Sequence, residues 1–569
     1  MKRNTRALSA LAVLALLVPL GMSTPASADM SPYTLYAPKE MLAKYPYPFT
    51  GTVAPAFTPS AAAKAVTALP DHGPVGTPFT LSATGLPANA TVTLVWSTKE
   101  AGWKAEVDPT TVNYRGVSYR SLNVVMGTVT TDANGAFSFA TKAPDDFGLA
   151  HDIYALVNGA VVGKGGFEIS RSVSISPTSG PVGTPITVTY LGLGASLYTS
   201  GGAILYDNKY AGEMLALWNR GHGTATIIAS GAKGKHYISV QDAIGIQYMN
   251  ILQSPVPNAV GDLKVFTVTK DAGLIKPYMV WPDDVTPAAD ARTTFVANAI
   301  DPSASKAVAT ATPAQGPVLS KTHLKVTGLP TDGAVDLKFS TVVGSRVDCP
   351  NGSTSCWKFN GIPLGSGTVS GGNLEQDVTI PDNLGGYHVI QVLQGGKLVA
   401  QVPFYVMASI EVFKDANGKQ TGLGVATADL SLAHLPAGVG TPTYTFKQGQ
   451  AFTISMRGVG WTEMDNTMNV TYDNSHIGYG CGFNSNGYMA VHLVATGEPG
   501  THTIDLYPNI YSTNPSFADT QYGMLPLLSG GHDSPALGLG YKVPAVHFTI
   551  KVVADTPAKK VVKKTSTKK

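Results

Sequence analysis

Three kinds of segment hold residue types that could do chemistry. Ser529-Gly530-Gly531-His532-Asp533-Ser534 places the nucleophile, base and acid types of a hydrolase within six positions. Adjacent residues of a glycine-rich loop cannot form a triad by themselves, because nucleophile, base and orienting acid must each be held by a separate rigid element. No nucleophile elbow or metalloprotease helix occurs elsewhere, so no catalytic residue, cofactor or metal site is assigned and an enzyme is not expected. Tyr206-Asp207-Asn208 and Tyr472-Asp473-Asn474 offer the carboxylate and amide oxygens that calcium prefers. Asp-Asn between apolar runs is also a hairpin turn, since both residues tolerate positive φ, and without a nearby acid cluster the turn is the stronger reading. His151, His236, His388 and His502 each stand two or three residues after a glycine. A catalytic role would have to recur four times, so the expected role is structural, with each ring packed at a sheet end and bonded to a loop carbonyl.

Other candidates concern covalent links and surfaces. Cys349 and Cys356 flank Pro350-Asn351-Gly352-Ser353-Thr354-Ser355, which in an oxidising compartment reads as a hairpin-closing disulfide worth about 2–3 kcal/mol. Zinc would need further His or Cys nearby. Cys481 is left over and reads as a buried small hydrophobe. Tyr507, Tyr511, Phe517 and Tyr522 make the loop before Ser529 aromatic and polar, as a carbohydrate- or protein-binding surface is; the competing reading is a long loop packed on its own domain. Lys559, Lys560, Lys563, Lys564, Lys568 and Lys569 crowd a tail without acids or aromatics. It is expected to be disordered, and either solubilises the chain or draws it to anionic envelope polymers or headgroups at short range.

The elements that must carry these residues are strands. Of 569 residues only 14% are charged, while 61 glycines and 39 prolines suit short strands and turns. Residues 1–28 have a basic start, the apolar core 7–22 and Ala26-Ser27-Ala28 before Asp29, the pattern of a removable export signal. The core is shorter than the roughly 20 residues that span a bilayer, and no later run is long enough, so no transmembrane segment is expected in the mature chain. Without the three basic residues of the signal, Lys and Arg number 37 against 37 acids, and the six tail lysines leave the body near −6. A basic nucleic-acid-binding body is excluded. Val92, Leu94 and Trp96, Val335, Leu337 and Phe339, and Phe548, Ile550 and Val552 alternate with polar partners, the period of a half-buried strand.

The chain also repeats itself. Residues 182–240 align without a gap on 448–506, with fourteen identities in 59 positions, seven of them glycines. Residues 141–169 match 378–406 at Pro144/Pro381, Asp145/Asp382, Gly148/Gly385, His151/His388 and further positions, and Thr84-Gly85-Leu86-Pro87 recurs as Thr327-Gly328-Leu329-Pro330. The order along the chain is therefore two domain types, A and B, followed by second copies A′ and B′.

At Ser176-Pro177-Thr178-Ser179-Gly180-Pro181-Val182-Gly183-Thr184-Pro185, Thr131-Asp132-Ala133-Asn134-Gly135-Ala136-Phe137 and Gly500-Thr501-His502-Thr503-Ile504, the chain resembles the bacterial immunoglobulin-like repeats of secreted and cell-surface proteins, including those grouped as IPT/TIG-like. The likeness spans most of 70–554. It implies an all-β fold of four tandem immunoglobulin-like β-sandwich domains arranged as a duplicated two-domain unit, and says little about activity. The expected organisation is a signal peptide over 1–28, an N-terminal extension over 29–59, domain A over 60–170 and domain B over 171–270. A linker or added strand of B follows over 271–304, then A′ over 305–408, B′ with loop insertions over 409–554 and the lysine tail over 555–569. The function expected is an exported bacterial cell-surface structural or adhesive protein, contacting envelope polymers, other surface proteins or glycans and capable of self-assembly. The alternative is an extracellular carbohydrate-binding or enzyme-accessory protein.

Overall fold

The computed structural model describes residues 33–108, 111–196, 199–242, 263–275, 278–280, 305–345, 356–410, 412–414, 420–423, 425–426, 444–461, 465–482, 485–508, 526–529 and 543–555. Nearly all of its regular structure is strand. The alternating residues named above fall where period two puts them: Val92, Leu94, Trp96, Val335, Leu337, Phe339, Phe548, Ile550 and Val552 are all buried.

The sheets come in facing pairs along the chain. In the first, Thr67–Leu69, Pro78–Ala83 and Phe137–Lys142 form a three-stranded sheet over a seven-stranded one centred on Thr91–Asp108, Leu149–Val157 and Ala160–Ser170. Phe79 and Leu81 from one sheet meet Leu94, Trp96, Ile153 and Phe167 from the other in a single core. The second pair sets Ser172–Ser176, Pro185–Leu191 and His222–Ile228 against Gly201–Tyr206, Lys209–Leu215, Gly234–Asp242 and Lys264–Val268. The third sets Val308–Thr312, Lys321–Thr327 and Leu374–Thr379 against Gly333–Ser345, Cys356–Val369, Gly386–Gln394 and Lys397–Met407. The fourth sets Ala451–Arg457 and Met489–Val494 against Thr467–Tyr472, Ser475–Cys481, Gly500–Pro508 and Ala545–Val553.

Each pair opens the same way. The first strand lies antiparallel in the smaller sheet, and the chain then crosses to run parallel to the last strand of the larger one. His72–Pro74 pairs with Ala160–Ser170, Ser179–Gly180 with Lys264–Val268, Gln315–Pro317 with Lys397–Met407, and Thr445–Lys447 with Ala545–Val553. Pro70, Pro177 and Pro313 stand at or just before three of these crossings, where a residue without an N–H costs no ladder bond. The chain is an all-β protein with immunoglobulin-like sheets.

Three features depart from the expected layout. The N-terminal extension is folded: Tyr33–Tyr36 pairs with Gly102–Ala105 of the long strand Thr91–Asp108, the helix Lys39–Lys44 buries Met41, and Val53 bridges Val124 on the partner strand Thr111–Thr130. Within the segment after the second pair, Tyr278–Val280 is not an added strand of that pair, because it pairs with Ala545–Val553 in the fourth. Asp271 fixes that path by accepting the Thr501 N–H and pairing with Lys551. Within B′, where loop insertions are expected, Val412–Lys414 and Gln420–Leu423 form a hairpin and Val425–Ala426 joins Ala451–Arg457. No helix among the described residues is long and apolar enough to cross a membrane.

Candidate functional site

The four histidines share one geometry. Nε2 reaches the carbonyl four residues back, from His151 to Phe147 at 2.6 Å, His236 to Ala232 at 2.7 Å, His388 to Leu384 at 2.9 Å and His502 to Glu498 at 2.8 Å. Each ring lies against an aromatic of the neighbouring strand, Trp96, Tyr206, Phe339 and Tyr472 respectively. Nδ1 separates two types. In His151 and His388 it faces the carbonyls of Ser97 and Ser340, whereas in His236 and His502 it faces Asp207 and Asp473, each at 2.6 Å. The other oxygens of those acids accept the backbone N–H of Tyr237 and Thr503. Asp207, Asn208, Asp473 and Asn474 all have positive φ, so both Asp-Asn motifs are tight turns whose carboxylates hold a histidine and a strand. Burial keeps His388 neutral by lowering its pKa to about 4. Burial also works against charge on His502, but the Asp473 carboxylate outweighs it and raises the pKa above its usual value.

The same positions that recur in sequence also join neighbouring sheet pairs. Gly148 N–H donates to Leu193 O at 2.9 Å, and Gly385 N–H to Val459 O at 2.8 Å. Gly148 bridges Gly194 in parallel and Gly385 bridges Gly460. A Cβ at Gly148 would overlap the Gly192 carbonyl, and one at Gly385 the Gly458 carbonyl, so only glycine permits the approach. Beside each bridge an acid is paired with a base, Asp145 with His222 at 2.7 Å and Asp382 with Arg457.

The two joints differ at a few positions, and these mark the candidate site. At the first, buried Arg220 donates to Asp146 at 2.6 Å, Thr98 Oγ1 at 3.1 Å and Lys99 O at 3.2 Å, while the second Asp146 oxygen accepts Trp96 Nε1 at 2.8 Å. At the second joint the aligned residues are Asn486, Asn383, Thr341 and Phe339, and the Thr341 hydroxyl donates to Asn383 Oδ1 at 2.8 Å. Arg220 and Asn486 both sit at positive φ, 56° and 52°. Asparagine suits that conformation, whereas for arginine it costs about 1–2 kcal/mol, a strain of the kind that collects at functional positions.

The folded N-terminal extension lies against this first joint. Trp218 Nε1 donates to Leu35 O at 3.1 Å, and the Arg220 guanidinium lies over the Tyr47 ring. Tyr47 donates to Glu100 at 2.7 Å; burial and that carboxylate push its phenol up to about 12. Glu100 is paired with Arg120, which lies over Tyr36. Between the extension, the end of Phe137–Lys142 and the turn at 219–220 runs an open groove of about 820 Å³, walled by Tyr45, Tyr47 and several prolines, a size that suits a small ligand. Asn219 lies in it, 1% exposed, with neither its amide nitrogen nor its amide oxygen bonded. The aligned Ser485 instead donates its hydroxyl to Tyr488 O.

Most of the residues singled out in sequence lie elsewhere. Tyr507 is not on a binding surface: it is 2% exposed, its ring packs into the core of the second sheet pair and its hydroxyl reaches Thr226 O at 3.4 Å. Alternation explains this, because Ile504 and Leu506 face their own core and turn Tyr507 outward onto the neighbouring pair. Ser529 is fully buried and accepts the Leu215 N–H at 2.9 Å, beside a parallel bridge from Leu527 to Glu213. That part of the expected loop insertion is thus tied to another sheet. Cys481 is half-buried, 3.0 Å from Thr467 Oγ1, rather than a buried hydrophobe. Cys356 opens a strand opposite Ser345. Cys349, Tyr511, Phe517, Tyr522, His532, Asp533, the signal segment and the six tail lysines lie outside the described residues, and the Cys349–Cys356 link with them. Sequence reasoning missed Arg220, Asp146 and Asn219. The available signal was their paired departure from Asn486, Asn383 and Ser485 in the otherwise matching segment.

No protein-family model matches the chain, and no curated protein matches it. Among solved structures, the chain aligns with Salmonella alpha-2-macroglobulin at 8% identity and a TM-score of 0.16, over 84% of this chain and 30% of that one. It aligns with the D1–D4 ectodomain fragment of ICAM-5 at 11% identity and a TM-score of 0.15, over 86% of this chain and 99% of that one. With murine CEACAM1b the values are 15% and 0.13, over 35% and 92%.

Proposed function

We propose that this is an exported, envelope-associated protein of structural or adhesive character, built by duplicating a unit of two immunoglobulin-like sandwiches. The observation that carries the reading is the repeated joint. Gly148 with Leu193 and Gly194, and Gly385 with Val459 and Gly460, make the same backbone contacts 237 and 266 residues apart, so the sandwiches are docked in a fixed geometry in place of being strung on free linkers. Such a block suits bearing load or presenting surfaces. The domain boundaries near 60–170, 171–270, 305–408 and 409–554 belong to this proposal, as do the signal peptide and the Cys349–Cys356 disulfide. The lysine tail would hold the chain near anionic envelope polymers, and exposed sheet edges would contact other surface proteins, glycans or further copies of the chain. A non-catalytic role is supported by buried Ser529, whose hydroxyl is used to fix Leu215. Cell fractionation with and without a high-salt wash tests the proposal: release by salt is expected, and quantitative presence in the medium before any wash contradicts envelope retention.

A further inference from the structure

We propose that the groove at the first joint binds a glycan, with Asn219 as its recognition residue. The inference deepens the contact role proposed above and fixes both its place and its ligand class. The two joints are near-copies, so what holds them together recurs. What differs between them at aligned positions is free to serve something else, and Asn219 is such a difference.

The chemistry of the groove points to sugar. The Asn219 amide can donate through Nδ2 and accept through Oδ1, and it does neither within the chain. A buried amide left unpaired is costly, and hydroxyls, which both donate and accept, would satisfy it. Several charged groups around it have partners within the chain: Arg220 has Asp146, Asp145 has the His222 ring and Glu100 has Arg120. Lys44 and Lys142 also line the groove, so the sugar it takes need not be uncharged. Pro46, Pro48, Pro78 and Pro144 line the walls beside Tyr45 and Tyr47. Prolines present C–H faces and no N–H, so an extended peptide finds few backbone donors to zip against, whereas the C–H face of a pyranose packs well on such rings.

The test uses the purified mature chain, residues 29–569, on an array with bacterial wall oligosaccharides in one arm, eukaryotic N-glycans in another and proline-rich peptides in a third. The best-retained oligosaccharide is then titrated by calorimetry. Binding in one glycan arm is expected and identifies the source. Asn219→Leu should weaken it by about tenfold or more, with the melting temperature unchanged or raised because no internal bond is lost. Asn219→Asp, which removes the donor and keeps the shape, should weaken it as well, and Ser485→Leu at the other joint should leave it intact. Retention of no glycan, retention of peptide alone, or wild-type glycan affinity in Asn219→Leu and Asn219→Asp would overturn the proposal. Fractionation of cells is independent of these outcomes, so envelope association and glycan binding can fail separately.

Discussion

His502 Nδ1 lies 2.6 Å from Asp473 Oδ2, the distance that also separates His236 from Asp207. In both pairs the ring's other nitrogen faces a backbone carbonyl. At the equivalent place in the A-type units the acid is replaced by a carbonyl. One scaffold position thus faces a carboxylate in one domain type and a backbone carbonyl in the other.

Opposite pH dependences follow. His502 has a raised folded pKa, so its contribution is complete below the unfolded value of roughly 6.5 and is lost as pH rises through the folded pKa. His388 has a folded pKa lowered to about 4, so its neutral form stabilises fully above roughly 6.5 and that stability is lost as pH falls toward 4, on the order of 3 kcal/mol. Melting temperatures of Asp473→Asn and His388→Phe across pH 4–9 check this. The first should flatten the alkaline limb of the wild-type curve and the second the acid limb.

The Arg220–Asp146 pair is buried on both sides, so removing one partner leaves an uncompensated charge. Asp146→Asn alone should cost about 3–5 kcal/mol. Asp146→Asn with Arg220→Asn, the residues found at the second joint, should cost far less, since asparagine also relieves the positive φ. Denaturant unfolding of the two singles and the double gives the coupling, and additivity would refute a specific ion pair.

Gly148→Ala should open the first joint by forcing a methyl group into the Gly192 carbonyl. Small-angle scattering is expected to show a larger radius of gyration, and proteolysis should cut near residues 171–172. An unchanged profile would mean that the joint depends on other contacts.

Asn474 ties the fourth sheet pair to the second, donating to Ile228 O at 2.8 Å and Ser230 Oγ at 3.0 Å, while its counterpart Asn208 is exposed. Asn474→Ala should therefore cost about 1–3 kcal/mol and Asn208→Ala almost nothing. Thermal melts of both variants decide it.

Much of the scaffold was legible in sequence. Strands Pro185–Leu191, Gly201–Tyr206 and Lys209–Leu215 have partners beginning and ending 266 residues later at Ala451–Arg457, Thr467–Tyr472 and Ser475–Cys481, because the aligned glycines mark turns that strands must fit between. The contacts between units were not legible. Tyr507 and Asp505 occupy outward strand positions whose alternation says only that they leave their own core, and Asn474 stands in a turn; which neighbour each meets depends on docking that period two does not encode. The N-terminal extension was hidden for a related reason: Leu35 and Met41 gain their burial beside Trp103 and Trp218, which belong to the first two sheet pairs.

The central claim is that one two-sandwich unit occurs twice with its internal docking preserved. A crystal structure of the mature chain tests it most directly, by superimposing residues 137–240 on 374–506 as one body. The account predicts that Gly148–Gly194 and His236–Asp207 then fall onto Gly385–Gly460 and His502–Asp473 together. Single sandwiches that overlay while their joints diverge would contradict it.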